Sequence, residues 1–244
     1  MCSYEGIFIV GMNAVLYYSC SGQSKYVAET LGEKLQFKVF DLSATDFDFN
    51  EDFMTAAVVF PVHCQGLAKP FKKILGRIKA ENFALIATYG RAGYGNALFE
   101  AAKLLSAPVI AGAYLPAKHT YRENDTFVPV VPNELIQAIK LCRTVTIPKL
   151  KKTPFSSFLP ELRSRLAIKI KRTDDCDGCN TCATLCPVKA MQKGKPNGKC
   201  IRCLKCVCNC PKSAYNVKRS AILKRYLLNH LTETTLLYTT KAEP

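Results

Sequence analysis

The chain has 244 residues, a formal net charge of +15 and 13 cysteines. Apolar residues make up 48% and charged residues 22%, a composition that excludes disorder as the main state and provides for a sizeable core. No stretch approaches about 18 uninterrupted apolar residues and no signal peptide is recognisable, so we expect a cytoplasmic protein of two domains without a transmembrane segment, translated from Met1 or Met12.

From Asn13 to about Arg143, short apolar runs rich in β-branched residues alternate with helical stretches. The predicted strands are Ala14–Tyr18, Phe37–Leu42, Ala56–Val62, Phe83–Tyr89 and Val109–Leu115. The predicted helices are Lys25–Leu35, Ala68–Lys79, Ala97–Ser106 and Asn133–Cys142. Runs that are apolar on both faces and separated by helices predict a parallel sheet covered on both sides. Such a doubly wound α/β fold binds its ligand at the carboxyl ends of the strands.

Charge and cysteine content divide the chain. Residues 1–147 hold 14 Lys and Arg against 13 Asp and Glu, whereas residues 148–244 hold 20 against 6. Nine of the 13 cysteines lie between Cys176 and Cys210, and in a chain without an export signal they indicate metal-binding thiolates rather than disulfides. The predicted segments are an α/β domain over 12–145, a linker over 146–166, a cysteine-rich domain over 167–218 and a helical tail over 219–244.

The cysteine-rich segment repeats one motif on one spacing. Cys176-x-x-Cys179-x-x-Cys182-x-x-x-Cys186-Pro187 is followed by Cys200-x-x-Cys203-x-x-Cys206-x-x-x-Cys210-Pro211. This segment resembles a bacterial ferredoxin with two 4Fe-4S clusters, in which the fourth cysteine of each motif binds the other cluster. The resemblance implies one cluster on Cys176, Cys179, Cys182 and Cys210, and a second on Cys200, Cys203, Cys206 and Cys186.

Structural zinc is the alternative for these cysteines, because CxxC pairs also hold tetrahedral zinc. Three cysteines at CxxCxxC followed by CP, twice over, favour iron-sulfur clusters. The extra thiol, Cys208, is expected to be a small buried hydrophobic residue.

A polar loop directly follows the first predicted strand and opens a helix. It reads Ser19-Cys20-Ser21-Gly22-Gln23-Ser24-Lys25. Hydroxyls and backbone N–H groups at a helix N-terminus favour a phosphate group. Neither a Walker A motif nor GxGxxG is present, so a nucleoside triphosphate or a dinucleotide fits poorly.

Ser19-x-Ser21-Gly22-x-Ser24 resembles the flavodoxin phosphate loop, and the loops at 60–67 and 88–97 extend the match. From about Met12 to about Val217, the chain is similar to flavodoxin/ferredoxin fusion proteins of anaerobic bacteria and archaea. The resemblance implies a doubly wound, parallel, five-stranded flavodoxin-like sheet followed by a small α+β bacterial ferredoxin-like domain. It implies flavin mononucleotide (FMN), with its phosphate on Ser19, Ser21, Gly22, Gln23 and Ser24 and its ring bordered by His63, Tyr89, Gly90 and Tyr94.

The predicted function is that of an electron-transfer iron-sulfur flavoprotein, which passes electrons between FMN and two 4Fe-4S clusters and on to a partner. A second hypothesis is an FMN-dependent oxidoreductase that reduces a small organic acceptor. A third is a redox-sensing module without bound flavin, which Cys20 and His63 favour because they replace the usual flavodoxin residues. No catalytic residue is predicted.

The basic second half has several interpretations. It is a solvated face, a surface for an acidic redox protein, or a surface for nucleic acid. Nucleic acid is the weakest of the three, because no recognised nucleic-acid motif is present. The stretch Ala221–Leu228 has apolar residues at helical spacing with basic residues between them, which suits a helix docked on the protein or one in peripheral contact with a membrane.

Overall fold

The structure, a computed structural model, describes residues 11–44, 47–122, 124–151 and 160–240. Residues 12–141 are called the N-terminal module below. Its elements are β1 (Met12–Tyr17), α1 (Gln23–Leu35), β2 (Lys38–Asp41), β3 (Asp52–His63), β4 (Gly66–Leu67), α2 (Lys69–Leu75), β5 (Lys79–Tyr89), α3 (Ala97–Ala102), β6 (Val109–Pro116) and α4 (Asn133–Leu141).

Five parallel strands of the N-terminal module lie side by side in the order β2, β1, β3, β5, β6. Among parallel strands alone this is the doubly wound order 2-1-3-4-5. The short β4 pairs antiparallel with the end of β3. The prediction of an α/β fold with a mostly parallel sheet is therefore confirmed.

Helices cover both faces of this sheet. Ala56, Val58 and Phe60 of β3 belong to the apolar cluster that α2 and α3 complete. Ala57 and Val59 belong to the opposite cluster, completed by α1 and α4. Because side chains alternate along a strand, an uninterrupted apolar run is required where both faces are buried.

The ends of several elements differ from the predicted ends; α3, for example, ends at Ala102 rather than at Ser106. The predicted helix Ala68–Lys79 stops at Leu75, because Lys79 already pairs with Asp52 as the first residue of β5. For the same reason β3 begins at Asp52 rather than at Ala56. Cys142, which follows α4, is disulfide-bonded, an outcome that the argument for metal-binding thiolates did not foresee.

Residues 168–219 are called the cysteine-rich module. Its elements are β7 (Ile168–Arg172), α6 (Thr181–Thr184), β8 (Met191–Gln192), β9 (Lys195–Pro196), α7 (Lys205–Cys208) and β10 (Tyr215–Arg219), and the helix α5 (Pro160–Ala167) precedes them. β7 pairs antiparallel with β10, and β8 with β9. The two short helices follow Asn180 and Leu204, which both adopt left-handed backbone conformations, so the sequence repeat is also a structural repeat.

After the cysteine-rich module the chain returns to the first sheet. Helix α8 (Ala221–Asn229) is followed by β11 (Leu236–Tyr238), which pairs antiparallel with β6. This edge strand was not among the strands predicted from the sequence. The Tyr89 hydroxyl donates to the carbonyl oxygen of Thr234 at 2.7 Å, which holds the returning segment across the end of β5.

Residues 152–159 of the predicted linker, together with residues 1–10, lie outside the described part of the chain. None of the helices that the structure describes is long and apolar enough to cross a membrane.

Candidate functional site

Four cysteines from both motifs line one cavity of about 180 Å³ near the surface. They are called the first quartet and are Cys176, Cys179, Cys182 and Cys210. Cys210 comes from the end of the second motif, as the ferredoxin resemblance implies. The four sulfur donors therefore converge, although 28 positions of sequence separate Cys182 from Cys210. A set of four thiols of this kind fits a 4Fe-4S cluster.

The second quartet lies deeper in the module and consists of Cys186, Cys200, Cys203 and Cys206. Cys200 and Cys206 are buried. Burial, followed by the charges of the nearby Cys203, Cys200 and Cys186 thiols, raises the pKa of Cys206 to about 12. The neighbours of Cys206 thus include every other member of its quartet. This arrangement fits a second cluster.

Backbone amides reach the sulfur of the fourth cysteine in each motif. Ala190 N donates to Cys186 Sγ at 3.1 Å, and Ala214 N donates to Cys210 Sγ at 3.4 Å. Hydrogen bonds to ligand sulfurs are one means by which a protein sets the reduction potential of a cluster.

Within the described ranges, no group of three or more His, Cys, Asp or Glu side chains is arranged to hold a single metal ion. A cubane cluster is not such a site, since its four thiolates bind four different irons. Cys208 is exposed on α7, so the expectation that it is buried is wrong. Cys206 is the buried residue of this helix.

Comparison with known proteins bears on the first motif. Residues 170–192 match the family model of a 4Fe-4S binding domain. The match supports at least one 4Fe-4S cluster and iron-sulfur electron transfer as the activity of this segment. It contains Cys176, Cys179, Cys182 and Cys186 but none of the second motif.

One solved structure with similarity to the chain is a flavodoxin from the domain Archaea. The alignment covers 54% of this chain and 94% of that one, at 18% sequence identity and a TM-score of 0.37. Because this TM-score is low, the α/β fold is assigned from the strand order of the sheet and not from this similarity. Among curated proteins there is no significant match.

A second cavity lies at the carboxyl ends of β1, β3, β5 and β6, where the doubly wound fold places ligands. It is called the edge cavity and has a volume of about 150 Å³. Cys20, Ser21, Gln23 and Ser24 line it from the N-terminal module. Residues 201–203 line it from the cysteine-rich module, so the edge cavity is closed by both modules.

The predicted phosphate loop is already engaged in hydrogen bonds within the protein. These are Gly22 N to Ser19 Oγ (3.1 Å), Ser24 Oγ with Thr88 Oγ1 (2.8 Å), Lys118 N to Gln23 Oε1 (3.2 Å) and Thr120 Oγ1 to Ser21 Oγ (3.3 Å). No side chain caps the N-terminus of α1. The segment 117–120 therefore lies over the loop that the flavodoxin resemblance assigns to phosphate.

Three of the four residues predicted to border a flavin ring line the edge cavity, namely His63, Tyr89 and Gly90. His63 donates from Nε2 to the Ile201 carbonyl oxygen at 3.2 Å, in the cysteine-rich module. Gly90 is covered by His119, whose ring a Cβ at Gly90 would overlap. Tyr94 does not line the edge cavity, because it packs between Tyr89 (5.2 Å between ring centroids) and Tyr114 (4.7 Å).

FMN does not fit the edge cavity as the structure describes it. Ligand pockets typically measure about 300–1,000 Å³, whereas this cavity is about 150 Å³. The space next to the loop is taken by residues 117–121 and by Ile201, Arg202 and Cys203. The cysteine-rich module thus stands where the resemblance implies a flavin ring.

The segment after β6 is anchored from both sides. The Tyr121 hydroxyl donates to the Arg202 carbonyl oxygen at 2.6 Å, and Arg219 Nε donates to the Tyr121 carbonyl oxygen at 2.7 Å. Burial, followed by the charge of Arg122, lowers the pKa of His119 to about 4, so this imidazole is neutral near pH 7. Tyr121 was not among the predicted site residues, and its role depends on a contact between modules that no local pattern reveals.

The buried carboxylate of Asp125 fixes the same segment. Asp125 accepts hydrogen bonds from Arg91 Nη2 at 2.6 Å, from His119 N at 2.9 Å and from Phe127 N at 3.1 Å. Arg91 also pairs with Glu233 of the returning C-terminal segment. Burial alone would raise the pKa of Asp125, but the hydrogen bond from Arg91 lowers it below the ordinary carboxyl value.

Proposed function

We propose that this protein is an electron carrier that holds two 4Fe-4S clusters, one on the first quartet and one on the second. The observation that carries the proposal is the convergence of Cys176, Cys179, Cys182 and Cys210 on one cavity. The exchange of the fourth cysteine between motifs is the arrangement of two-cluster ferredoxins. Membership of the flavodoxin/ferredoxin fusion family is part of this proposal.

The two clusters differ in their access to solvent. Cys179 of the first quartet is exposed, whereas Cys200 and Cys206 of the second are buried. Cys206 is also influenced by Cys182, so the two quartets adjoin. We therefore assign the first cluster to exchange with a partner and the second to electron storage or relay within the protein.

The partner we propose is an acidic redox protein. Arg172, Lys193 and Lys212 line the cavity of the first quartet, and the second half of the chain is strongly basic. A basic rim speeds the encounter with an acidic surface, and the rate falls as ionic strength rises.

FMN does not enter this proposal, because the edge cavity is too small for it. The proposal thereby departs from the flavin-mediated scheme that the sequence predicts. It keeps the electron-carrier function of the first hypothesis. It shares the absence of bound flavin with the third hypothesis.

Metal analysis and spectroscopy of anaerobically purified protein test the proposal. We expect about eight iron and eight acid-labile sulfides per chain, as two 4Fe-4S clusters require. Replacing Cys179 by Ser should perturb one cluster, whereas Cys208→Ser should retain both. Stoichiometric zinc, or about four iron per chain in the unsubstituted protein, would contradict the two-cluster assignment.

A further inference from the structure

The turn after β1 brings two polar side chains of the N-terminal module to the second quartet. Tyr18 directly follows β1 and extends its pairing with β3, because the Tyr18 N–H donates to the Val59 carbonyl oxygen at 2.9 Å. Its side chain is 1% exposed, and its hydroxyl, which makes no hydrogen bond to an oxygen or nitrogen atom, has the weakly accepting Cys20 thiol beside it. A buried hydroxyl with so weak an acceptor is unfavourable, so its presence points to a stronger acceptor that the polypeptide does not supply.

The surroundings of Tyr18 identify that acceptor. Its hydroxyl lies close enough to Cys203 and Cys186, two members of the second quartet, to feel their charge. Ser24 and Thr88, the nearby buried hydroxyl pair, bond to each other at 2.8 Å. The sulfur atoms of a cluster on the second quartet would therefore be available to Tyr18.

Cys20 stands two residues later and reaches the same quartet. Its thiol lies beside that of Cys203, and both residues line the edge cavity. Once Cys203 is bound to iron it is a thiolate and only accepts, so Cys20 becomes the donor. Cys20 is also one of the residues that differ from those usual in the flavodoxin phosphate loop.

We propose that Tyr18 and Cys20 donate hydrogen bonds to sulfur atoms of the second cluster and raise its reduction potential. This inference rests on the proposed function. The reduced cluster carries one more negative charge than the oxidised cluster, so a donor aimed at its sulfurs stabilises the reduced form more. The loop that resembles a phosphate site then belongs to the environment of an iron-sulfur cluster.

Redox titration monitored by electron paramagnetic resonance tests the inference on the anaerobically purified full chain. In Tyr18→Phe and Cys20→Ala, the second cluster should become harder to reduce. At the wild-type midpoint, its ratio of oxidised to reduced form should rise by about threefold to tenfold, the effect of one hydrogen bond. Cys20→Ser retains a donor and should stay close to wild type. The first cluster, identified through Cys179→Ser, should keep its potential in every donor variant.

Two matched controls separate this effect from general perturbation. Tyr238→Phe removes a buried hydroxyl without a hydrogen-bond partner, in β11. Cys64→Ala removes another thiol that lines the edge cavity. Neither substitution should move the potential of the second cluster.

Three results would overturn the inference. They are unchanged potentials in both donor variants, equal shifts of both clusters, and shifts in Tyr238→Phe as large as those in Tyr18→Phe. Loss of about four iron from Cys20→Ala would also overturn it, because Cys20 would then be a ligand rather than a donor. If the unsubstituted protein lacks a second cluster, the proposed function fails, and iron analysis distinguishes that outcome from the others.

Discussion

The pair formed by Arg91 and Asp125 offers a direct test of how the structure is held together around the edge cavity. The Asp125 side chain is 2% exposed and that of Arg91 is 11% exposed, so both charges are largely removed from water. Arg91→Met would leave the Asp125 carboxylate with two backbone donors but without its ion-pair partner. Removing one member of a buried pair typically costs about 3–5 kcal/mol.

We expect a loss of about 3 kcal/mol, at the lower end of that range, because the amides of His119 and Phe127 still donate to the carboxylate. In a chain of this size each kcal/mol shifts the melting temperature by about 2–4 °C, so Tm should fall by about 6–12 °C. Thermal unfolding of the cluster-loaded protein under anaerobic conditions, followed by circular dichroism, measures this shift.

The double variant Arg91→Met, Asp125→Asn is the matched control. It removes both charges and keeps an amide oxygen for one of the two backbone N–H groups, which bond to different oxygens of Asp125, so part of the lost stability should return. A single variant with unchanged Tm would refute the reasoning, as would a double variant that is as unstable as the single one.

The same pair sets a pH dependence with a definite sign. Arg91 lowers the pKa of Asp125 in the folded state below its value in the unfolded chain, which is about 3.9. The stability gained from the carboxylate is therefore present above about pH 4. It is lost as the pH falls through the lowered folded-state pKa, and Arg91→Met should show a weaker loss on the acid side.

Three further outcomes are expected. Tyr121→Phe removes the hydroxyl that donates to the Arg202 carbonyl oxygen and should lower the free energy of unfolding by about 1 kcal/mol. Amide hydrogen exchange at residues 201–206 should become faster, and unchanged exchange would contradict the contact between the two modules. Gly95→Ala should destabilise the protein by more than about 1 kcal/mol, because Gly95 has φ +58° and a Cβ there would overlap the Gln65 backbone; a wild-type Tm would argue against this loop geometry. Purified protein should release no stoichiometric FMN on acid treatment, and a tight fluorescence-quenching titration with FMN would contradict the small edge cavity.

Local patterns account for much of what could be predicted. The uninterrupted apolar run from Ala56 to Phe60 indicates a strand buried on both faces, because alternate side chains point to opposite sides of a sheet. The repeated CxxCxxC motif likewise predicts ligands, because three thiols within seven residues are held close together by chain connectivity. These signals depend on neighbours in sequence.

Other features arise from contacts between distant residues. β11 joins β6 only after the chain has crossed the cysteine-rich module, and its short apolar run, Leu236–Tyr238, carries no distinctive pattern. Tyr94 occupies the space between Tyr89 and Tyr114 instead of a ligand site, a choice made by packing. Both depend on which surfaces meet.

The edge cavity shows most clearly the difference between what local sequence predicts and what tertiary packing decides. Residue types and spacing in the β1–α1 loop indicate an anion site, and the strand order confirms the α/β sheet whose carboxyl edge carries it. The docking of Ile201 and Cys203 against His63 and Cys20 then shrinks that site to about 150 Å³. A sequence records each partner separately, whereas the volume left between two packed modules exists only once both surfaces are in contact.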